Sequence, residues 1–226
     1  MNVPKATLRQ CIDTFFKVLW PNPEYGFIHK AVFLQQFNAD EIEPALLHAV
    51  CGNAARFCVG TSPEQGSAWI AQAEEELMKS FDRPSVVRLQ ALQLVVLHRK
   101  YMREYRKTLS LFALCTRMAF LLRLNYEDPT LSFIAQESRR RLIWSIWITD
   151  TFLAGGIGDF TLCSTDRIHV RLPCDEQSFQ LDRATDTETL KATANGSSLH
   201  QLSLTAHFIR VCDVRDRILR YACHHH

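Results

Sequence analysis

Apolar residues recur at steps of three and four along most of the chain, which is the spacing of an amphipathic α-helix. The first such segment runs up to Pro21 and Pro23, two prolines that stop a helix. Pro44 opens another helical segment, because proline fits the first helical turn. Helical spacing continues to about residue 153 and returns near the end of the chain. We predict an all-α fold of roughly eight packed antiparallel helices, with no convincing pair of strands.

The pattern changes in one long stretch before the last helix. This stretch contains three closely spaced glycines, an alternating run at Ile168, Val170 and Leu172, and a polar end, which is typical of an irregular connection. The terminal histidines 224–226 are typical of a purification tag, and we exclude them from the domain. The sequence predicts a single domain over residues 1–223, with a helical core at 5–153, an irregular connection at 154–197 and a C-terminal helix at 198–222.

Composition favours a globular intracellular protein. Of the 226 residues, 47% are hydrophobic and 22% are charged, and the formal net charge is +2. A charge this small does not by itself predict a nucleic-acid surface. Eight cysteines are present without a C-x-x-C pair, and most lie in apolar helical patterns, where cysteine behaves as a small hydrophobe. Because there is no signal-peptide core and no apolar run of about 18 residues, we expect a reducing compartment and no membrane span.

The motifs of common enzymes are absent from the sequence. There is no H-E-x-x-H, no G-x-S-x-G and no Walker loop. Gly155, Gly156 and Gly158 follow a helical segment without the spacing of a dinucleotide site, so we expect them to end the helix sharply. His200 and His207 share a helix face, but no further ligand is spaced to complete a metal site. We predict no catalytic residue, no metal ligand and no enzyme.

Two tryptophans give the first candidate for a binding site. Trp144 and Trp147 are three residues apart and share one face of a helix. Two adjacent indoles either fill a core or line an apolar cavity, and the spacing leaves both alternatives open. As a hypothesis, a small effector binds between the helices of residues 86–124 and 139–153, with Trp144, Trp147, Phe112 and Phe152 as lining residues.

Two charged residues lie among apolar neighbours at helical spacing. Asp150 shares a face with isoleucines, and Arg117 lies between alanine, leucine and phenylalanine side chains. Because a charge in a core needs a partner, we predict a buried structural ion pair between Arg117 and Asp150. The run Arg139-Arg140-Arg141 is a different case: its side chains point about 100° apart around a helix, so they do not all face one nucleic-acid duplex.

Several stretches taken together resemble a known family. They include residues 11–16 (CIDTFF), the segment around His29, residues 89–94 (LQALQL), residues 113–119 (ALCTRMA), residues 139–147 (RRRLIWSIW) followed by Asp150, and residues 166–173 (DRIHVRLP). In this order, over nearly the whole chain, they resemble the middle homology region of fungal zinc-cluster transcription factors. One departure concerns Gly158, which is followed by Asp159 and Phe160 where the family commonly has Gly-Arg-Pro.

The resemblance implies an all-helical regulatory domain that follows a six-cysteine zinc cluster, which binds DNA. That cluster is absent from this sequence, so we expect zinc and DNA only in a region outside it, and no cofactor within it. The resemblance further implies a nuclear protein that controls transcription by RNA polymerase II in response to a small molecule or a partner protein. For the small molecule, the hypothetical pocket lined by the tryptophans predicts an apolar effector. Transcriptional co-regulators and a second copy of the chain are the partners it suggests. The alternative is a helical protein-interaction scaffold with no small-molecule ligand, in which the basic connection around Arg103 is the docking surface.

Overall fold

The computed structural model describes residues 3–191 and 203–224 of the chain. These residues form nine α-helices and no strand, which confirms the all-α fold class, while the antiparallel packing stays a prediction. The helices are α1 (Lys5–Thr14), α2 (Lys30–Asn38), α3 (Pro44–Ala54), α4 (Pro63–Lys79), α5 (Val86–Tyr101), α6 (Tyr105–Leu121), α7 (Phe133–Ala154), α8 (Glu176–Gln180) and α9 (Leu204–His224). The chain divides into two compact units, Met1–Met118 and Ala119–His226, and the single domain over residues 1–223 stays a prediction.

Short polar side chains start three of the long helices. The hydroxyls of Ser62, Ser85 and Ser132 each accept a hydrogen bond from an amide in the first turn of α4, α5 and α7, respectively. At the other end of α7, Gly155 has a φ of 58° and closes the helix in the left-handed conformation. The prediction that this glycine ends the helix sharply is therefore confirmed.

The first unit is built around α3, which is buried along most of its length. Two glycines allow α3 and α4 to approach each other closely. A Cβ atom placed on Gly52 would lie 2.7 Å from a side-chain carbon of Ile70, and one placed on Gly66 would lie 2.7 Å from the Gly52 carbonyl oxygen. These two positions exclude larger side chains, because the neighbouring atoms already fill the space.

The second unit is built around α7, whose residues from Arg140 to Thr151 are all buried. The predicted irregular connection is confirmed from residue 155 to 191, where short turns and the five-residue helix α8 interrupt extended chain. Residues 192–202 lie outside the described residues, and they include the predicted start of the last helix. Within the described residues α9 begins at Leu204, where the Ser203 hydroxyl accepts a hydrogen bond from the Ala206 amide and caps the helix.

A buried histidine in the first unit makes its stability depend on pH. His98 is 4% exposed, and neither of its ring nitrogens has a hydrogen-bond partner. Burial, together with the nearby cations of Arg99 and Arg56, lowers the pKa of His98 from 6.5 to about 4. The folded chain therefore keeps this imidazole neutral at pH values where the unfolded chain binds a proton.

We predict that His98→Phe reduces the loss of stability on acidification. The free energy of unfolding of the wild type should fall as the pH drops from 6.5 towards 4, because only the unfolded state gains a proton in this range. Relative to His98→Phe, the wild type should lose about 3 kcal/mol of this free energy over the same range. Urea unfolding of both proteins between pH 7 and 4 measures it. Val96→Ala, a non-titrating change in the same helix, should show a difference from wild type that is constant with pH. A constant difference for His98→Phe as well would contradict the prediction.

Candidate functional site

Trp144 and Trp147 lie together in the interior of the second unit. Their rings meet edge to face with centroids 5.5 Å apart, and the two residues are only 2% and 1% exposed. The indole nitrogen of Trp144 donates a hydrogen bond of 2.8 Å to the Arg171 carbonyl oxygen. Of the two alternatives that the spacing left open, these contacts fit a role in the core.

The two phenylalanines of the hypothesis lie in different surroundings. Phe112 belongs to the first unit and is 1% exposed. Phe152 belongs to the second unit and is 43% exposed, and the Arg215 guanidinium lies 4.6 Å from its ring centroid. Phe152 is thus a surface residue beside α9, and a pocket lined by all four aromatic residues stays a prediction.

The burial predicted for Arg117 is wrong, and its ion pair with Asp150 stays a prediction. Asp150 is buried as expected, at 1% exposure, but its carboxylate accepts hydrogen bonds from the backbone amides of Leu162 at 3.1 Å and Cys163 at 2.8 Å. Arg117 is exposed. Its apolar neighbours misled the prediction, because Leu121, four residues after it on the same side of α6, is itself 66% exposed.

Burial raises the pKa of the Asp150 carboxyl, and the two amide hydrogen bonds act in the opposite direction. The two amides satisfy the carboxylate without a side-chain cation. Through the same hydrogen bonds the carboxylate fixes the turn after α7. Asp150 is therefore a structural residue that holds the chain around Leu162 and Cys163 against the end of α7.

A double-mutant cycle tests this correction. Asp150→Ala should cost about 2–3 kcal/mol, because two backbone amides lose their acceptor, whereas Arg117→Ala should change the free energy of unfolding by less than about 0.5 kcal/mol. Thermal or urea unfolding of the single and double variants gives the coupling energy. We expect it to lie below about 0.5 kcal/mol, and a coupling above about 2 kcal/mol would restore the ion pair.

The buried charges of the second unit centre on Glu137 instead. Glu137 is fully buried, and Arg140 and Arg141 are 7% and 3% exposed. The Glu137 carboxylate pairs with Arg141 at 2.8 Å and with Arg140, and it also accepts the Cys174 amide at 3.0 Å. Arg141 in turn donates to the Cys174 carbonyl oxygen at 2.6 Å. One carboxylate and one guanidinium thus hold both backbone groups of Cys174 against α7.

Glu127 extends this cluster to the loop between α6 and α7. Its two carboxylate oxygens accept Nε and Nη2 of Arg140, each at 3.1 Å, in a bidentate pair. One of these oxygens also accepts the Arg171 amide at 2.9 Å. Arg139 acts separately and donates to the Leu122 carbonyl oxygen at the end of α6. The three consecutive arginines therefore all bind groups within the second unit. We call Glu127, Glu137, Arg140 and Arg141 the charge network.

Removal of the central carboxylate should be costly. We predict that Glu137→Ala lowers the free energy of unfolding by about 3–5 kcal/mol, because two buried guanidinium groups lose their partner. Chemical unfolding measures the change. Glu75→Ala is the matched control: it breaks an exposed ion pair with Lys79, and we expect almost no effect. A loss for Glu137→Ala as small as that of the control would contradict a buried network.

Two adjoining pockets lie next to this network, and they share Arg123 and Tyr126. The first has a volume of about 310 Å³ and is lined by Phe120, Arg123, Asn125, Tyr126, Asp166, Arg167 and His169. The second has a volume of about 370 Å³ and is lined by Leu122, Arg123, Tyr126, Glu127, Asp128, Pro129 and Arg139. We call the pair the arginine pocket. Glu127 belongs both to its wall and to the charge network.

Cations and aromatic rings converge in the first of these pockets. The rings of Tyr126 and His169 stack with centroids 4.8 Å apart. The Arg123 guanidinium lies 5.2 Å from the Tyr126 ring, and the Arg167 guanidinium lies 4.0 Å from the Phe120 ring. Both arginines are exposed, and Asp166 is the carboxylate at this rim, paired with Lys191. This chemistry suits a small anion that carries a planar ring.

Backbone contacts hold the two walls of the pocket together. Asn125 donates from its side chain to the Arg167 carbonyl oxygen at 2.8 Å, and its own carbonyl oxygen accepts the His169 amide at 2.9 Å. Arg123 has a φ of 55°, in the left-handed region, two residues after the end of α6. The end of α6 and the segment around residue 168 therefore form one local structure.

The sequence does not mark the residues of the arginine pocket as a site. Arg123 and Tyr126 lie about forty residues before Arg167 and His169, in segments without regular spacing, so no periodic pattern connects them. The one available signal was the stretch at residues 166–173, which contributed to the family resemblance.

A third pocket, of about 260 Å³, lies in the first unit. Its walls are mainly apolar and include Leu8, Phe37, Ile42 and Leu47, and the ion pair of Lys5 and Asp40 lies beside them. Among residues 3–191 and 203–224, no group of histidine, cysteine and carboxylate side chains is arranged to hold a metal ion. No described helix is both long and apolar enough to span a membrane.

Comparisons with known proteins agree on one family. A family model described as the fungal specific transcription factor domain matches residues 12–214, which include most of both units. The Zn(2)-C6 fungal-type transcription factor FTF1c of Fusarium oxysporum f. sp. lycopersici is 29% identical over 196 residues, or 79% of this chain and 21% of that protein. An uncharacterized transcriptional regulatory protein of Schizosaccharomyces pombe is 28% identical over 207 residues, or 83% of this chain and 21% of that protein.

A transcription factor of Emericella nidulans, AN6788, is 27% identical over 177 residues, which make up 72% of this chain and 27% of that protein. The chain thus spans about a fifth to a quarter of the length of these relatives. No solved structure matches it.

Proposed function

This chain belongs to the fungal specific transcription factor domain family, a family of transcription factors and not of enzymes, and we propose that it is the effector-sensing regulatory domain of a zinc-cluster transcription factor. In this proposal the whole protein acts in the nucleus and controls transcription by RNA polymerase II. Zinc and DNA are bound by a region outside this chain, in keeping with the Zn(2)-C6 names of its relatives. Co-regulator proteins and a second copy are the partners proposed for it.

The arginine pocket is the observation that supports sensing. Two exposed guanidinium groups and a stacked pair of rings lie within one concave site, where a carboxylate or phosphate would meet two cations and a planar ring would meet aromatic faces. We therefore propose a small anionic effector with a planar ring, in place of the apolar effector expected from the tryptophans. Trp144 and Trp147 then support the site from the core, since Trp144 holds the Arg171 carbonyl group.

The charge network connects the site to the helices. One wall of the pocket lies in the loop that contains Glu127, and the other lies just before Arg171, whose amide Glu127 accepts. Arg140 and Arg141 hold both segments on α7. An anion that bridges Arg123 and Arg167 would favour one arrangement of the two walls. Because the walls are fixed to α7, binding would also favour one position of that helix. It would thereby shift the equilibrium between two packings of the domain.

Binding of a defined anion tests the site. We predict that 4-hydroxybenzoate raises the melting temperature of the chain, whereas the uncharged 4-hydroxybenzyl alcohol does not, because only the carboxylate pairs with the guanidinium groups. The double variant Arg123→Ala/Arg167→Ala should lose this response. Arg106→Ala, which removes an exposed arginine of the first unit, should retain it. An equal response to both compounds, or an unchanged response in the double variant, would contradict an anion site.

Transcription tests the regulatory role separately. In a fungal host that carries the full-length protein, Arg123→Ala/Arg167→Ala should make a reporter gene insensitive to the effector while promoter occupancy stays unchanged. Occupancy is measured by chromatin immunoprecipitation in the same cells. A reporter that responds as in wild type would rule out this pocket as the sensor.

The alternative function is a protein-interaction scaffold with no small-molecule ligand. The basic connection around Arg103 is a weak docking surface in this structure, because Arg99 and Lys107 both pair with Glu74 at 2.9 Å and part of its charge is neutralised. The feature that favours a protein partner is the side of α9 that is exposed to solvent, because it carries apolar residues such as Val211 and Ile218. A chain that responds to no planar anion in thermal melts, yet binds a helical partner on α9, would be a scaffold.

A further inference from the structure

The C-terminal helix α9 is apolar on two opposite sides. One side is buried within the second unit and includes Ala206, Ile209 and Cys212. The other side is exposed to solvent and consists of Leu204, Phe208, Val211, Val214, Ile218 and Tyr221, which we call the outer stripe. Val211 is 65% exposed and Ile218 is 62% exposed.

The outer stripe has the spacing of a helix-docking surface. At 100° per residue its six members fall within an arc of about 140°, and consecutive members are three or four residues apart. The stripe runs along the whole of α9, which has 21 residues. An apolar stripe of this length on a helix whose opposite side is already buried indicates a partner helix, because a helix exposed to water on one side is normally polar there.

Arginines border the outer stripe. By the same geometry, Arg217 lies along one edge and Arg215 lies close to the other, whereas Arg210, on the same edge as Arg217, already pairs with Glu188 at 2.7 Å. The two carboxylates of the helix lie away from it: Asp216 is 5% exposed on the buried side, and Asp213 pairs with Arg217 from behind that edge. With four arginines and two aspartates, α9 itself carries a formal charge of +2 when His207 and His224 are neutral.

We propose that the outer stripe docks an amphipathic helix of another protein whose own apolar stripe is flanked by aspartate and glutamate. Apolar contact supplies the affinity, and carboxylates opposite Arg215 and Arg217 select the partner, as flanking charges do in coiled coils. A second copy of the chain fits less well, because its own α9 would bring the same positive formal charge to the interface.

The surface beside α9 enlarges the docking site at one end. Phe152 lies under the Arg215 guanidinium, and Gly156 packs directly on Leu219, so that the exposed Ile157 is placed next to the helix. The site uses none of the residues of the arginine pocket. Its failure would therefore leave the proposed effector site untouched, and the reverse also holds.

A pair of designed peptides tests the proposal on the 226-residue chain. Both are fluorescent helical peptides with leucines at the two core positions of each heptad; one carries glutamates at the flanking positions and the other carries lysines. We expect the acidic peptide to bind at least about tenfold more tightly than the basic one, and its affinity to fall with added salt. Val211→Glu/Ile218→Glu should weaken it at least about tenfold, since it places charges in the apolar contact.

Val59→Glu is the matched control, because Val59 is 84% exposed in the first unit, and it should leave binding unchanged. Circular dichroism confirms that both variants keep their helix content. Equal binding of the two peptides, or no binding of the acidic one, would overturn the proposal. So would a concentration-dependent dimer in sedimentation that Val211→Glu/Ile218→Glu dissolves, because a second copy would then occupy the stripe.

Discussion

The second unit depends on one buried carboxylate between two arginines. Glu137 is fully buried and pairs with Arg140 and Arg141, and these three side chains fix segments that lie far apart in the sequence. Buried charges contribute little net stability compared with apolar residues of the same size, but the loss of one partner is costly. We therefore interpret the network as a device that specifies one arrangement of the loop at Glu127 and the chain at Cys174 on α7.

The same arrangement explains how the proposed effector site can lie in chain without regular secondary structure. The walls of the arginine pocket are a loop and an extended segment, and such segments are mobile unless they are held. Here Glu127 connects both walls to Arg140, and Asn125 links them directly through Arg167 and His169. A ligand that alters these contacts would affect the position of α7 without touching its core tryptophans, because the charge network joins both walls of the pocket to that helix.

The sequence predicted the helical framework well, because its signals are local. Pro44 marks a helix start and Gly155 marks a helix end, each within a few residues of the feature itself. The site depends on contacts between distant positions, such as Glu137 with the Cys174 amide, which no periodicity reveals. Periodicity also gave a wrong answer at Arg117, since it finds an apolar face without showing whether that face is buried.

Hydrogen–deuterium exchange of Glu137→Gln against the wild type tests the central claim most directly. If the charge network holds both walls on α7, backbone amides at residues 122–131 and at 171–174 should exchange faster together in the variant, because both segments lose the same anchor. Peptides from α3 and α5 in the first unit serve as the internal reference and should not change. Faster exchange confined to α7 around residue 137, with both walls as protected as in the wild type, would contradict the account.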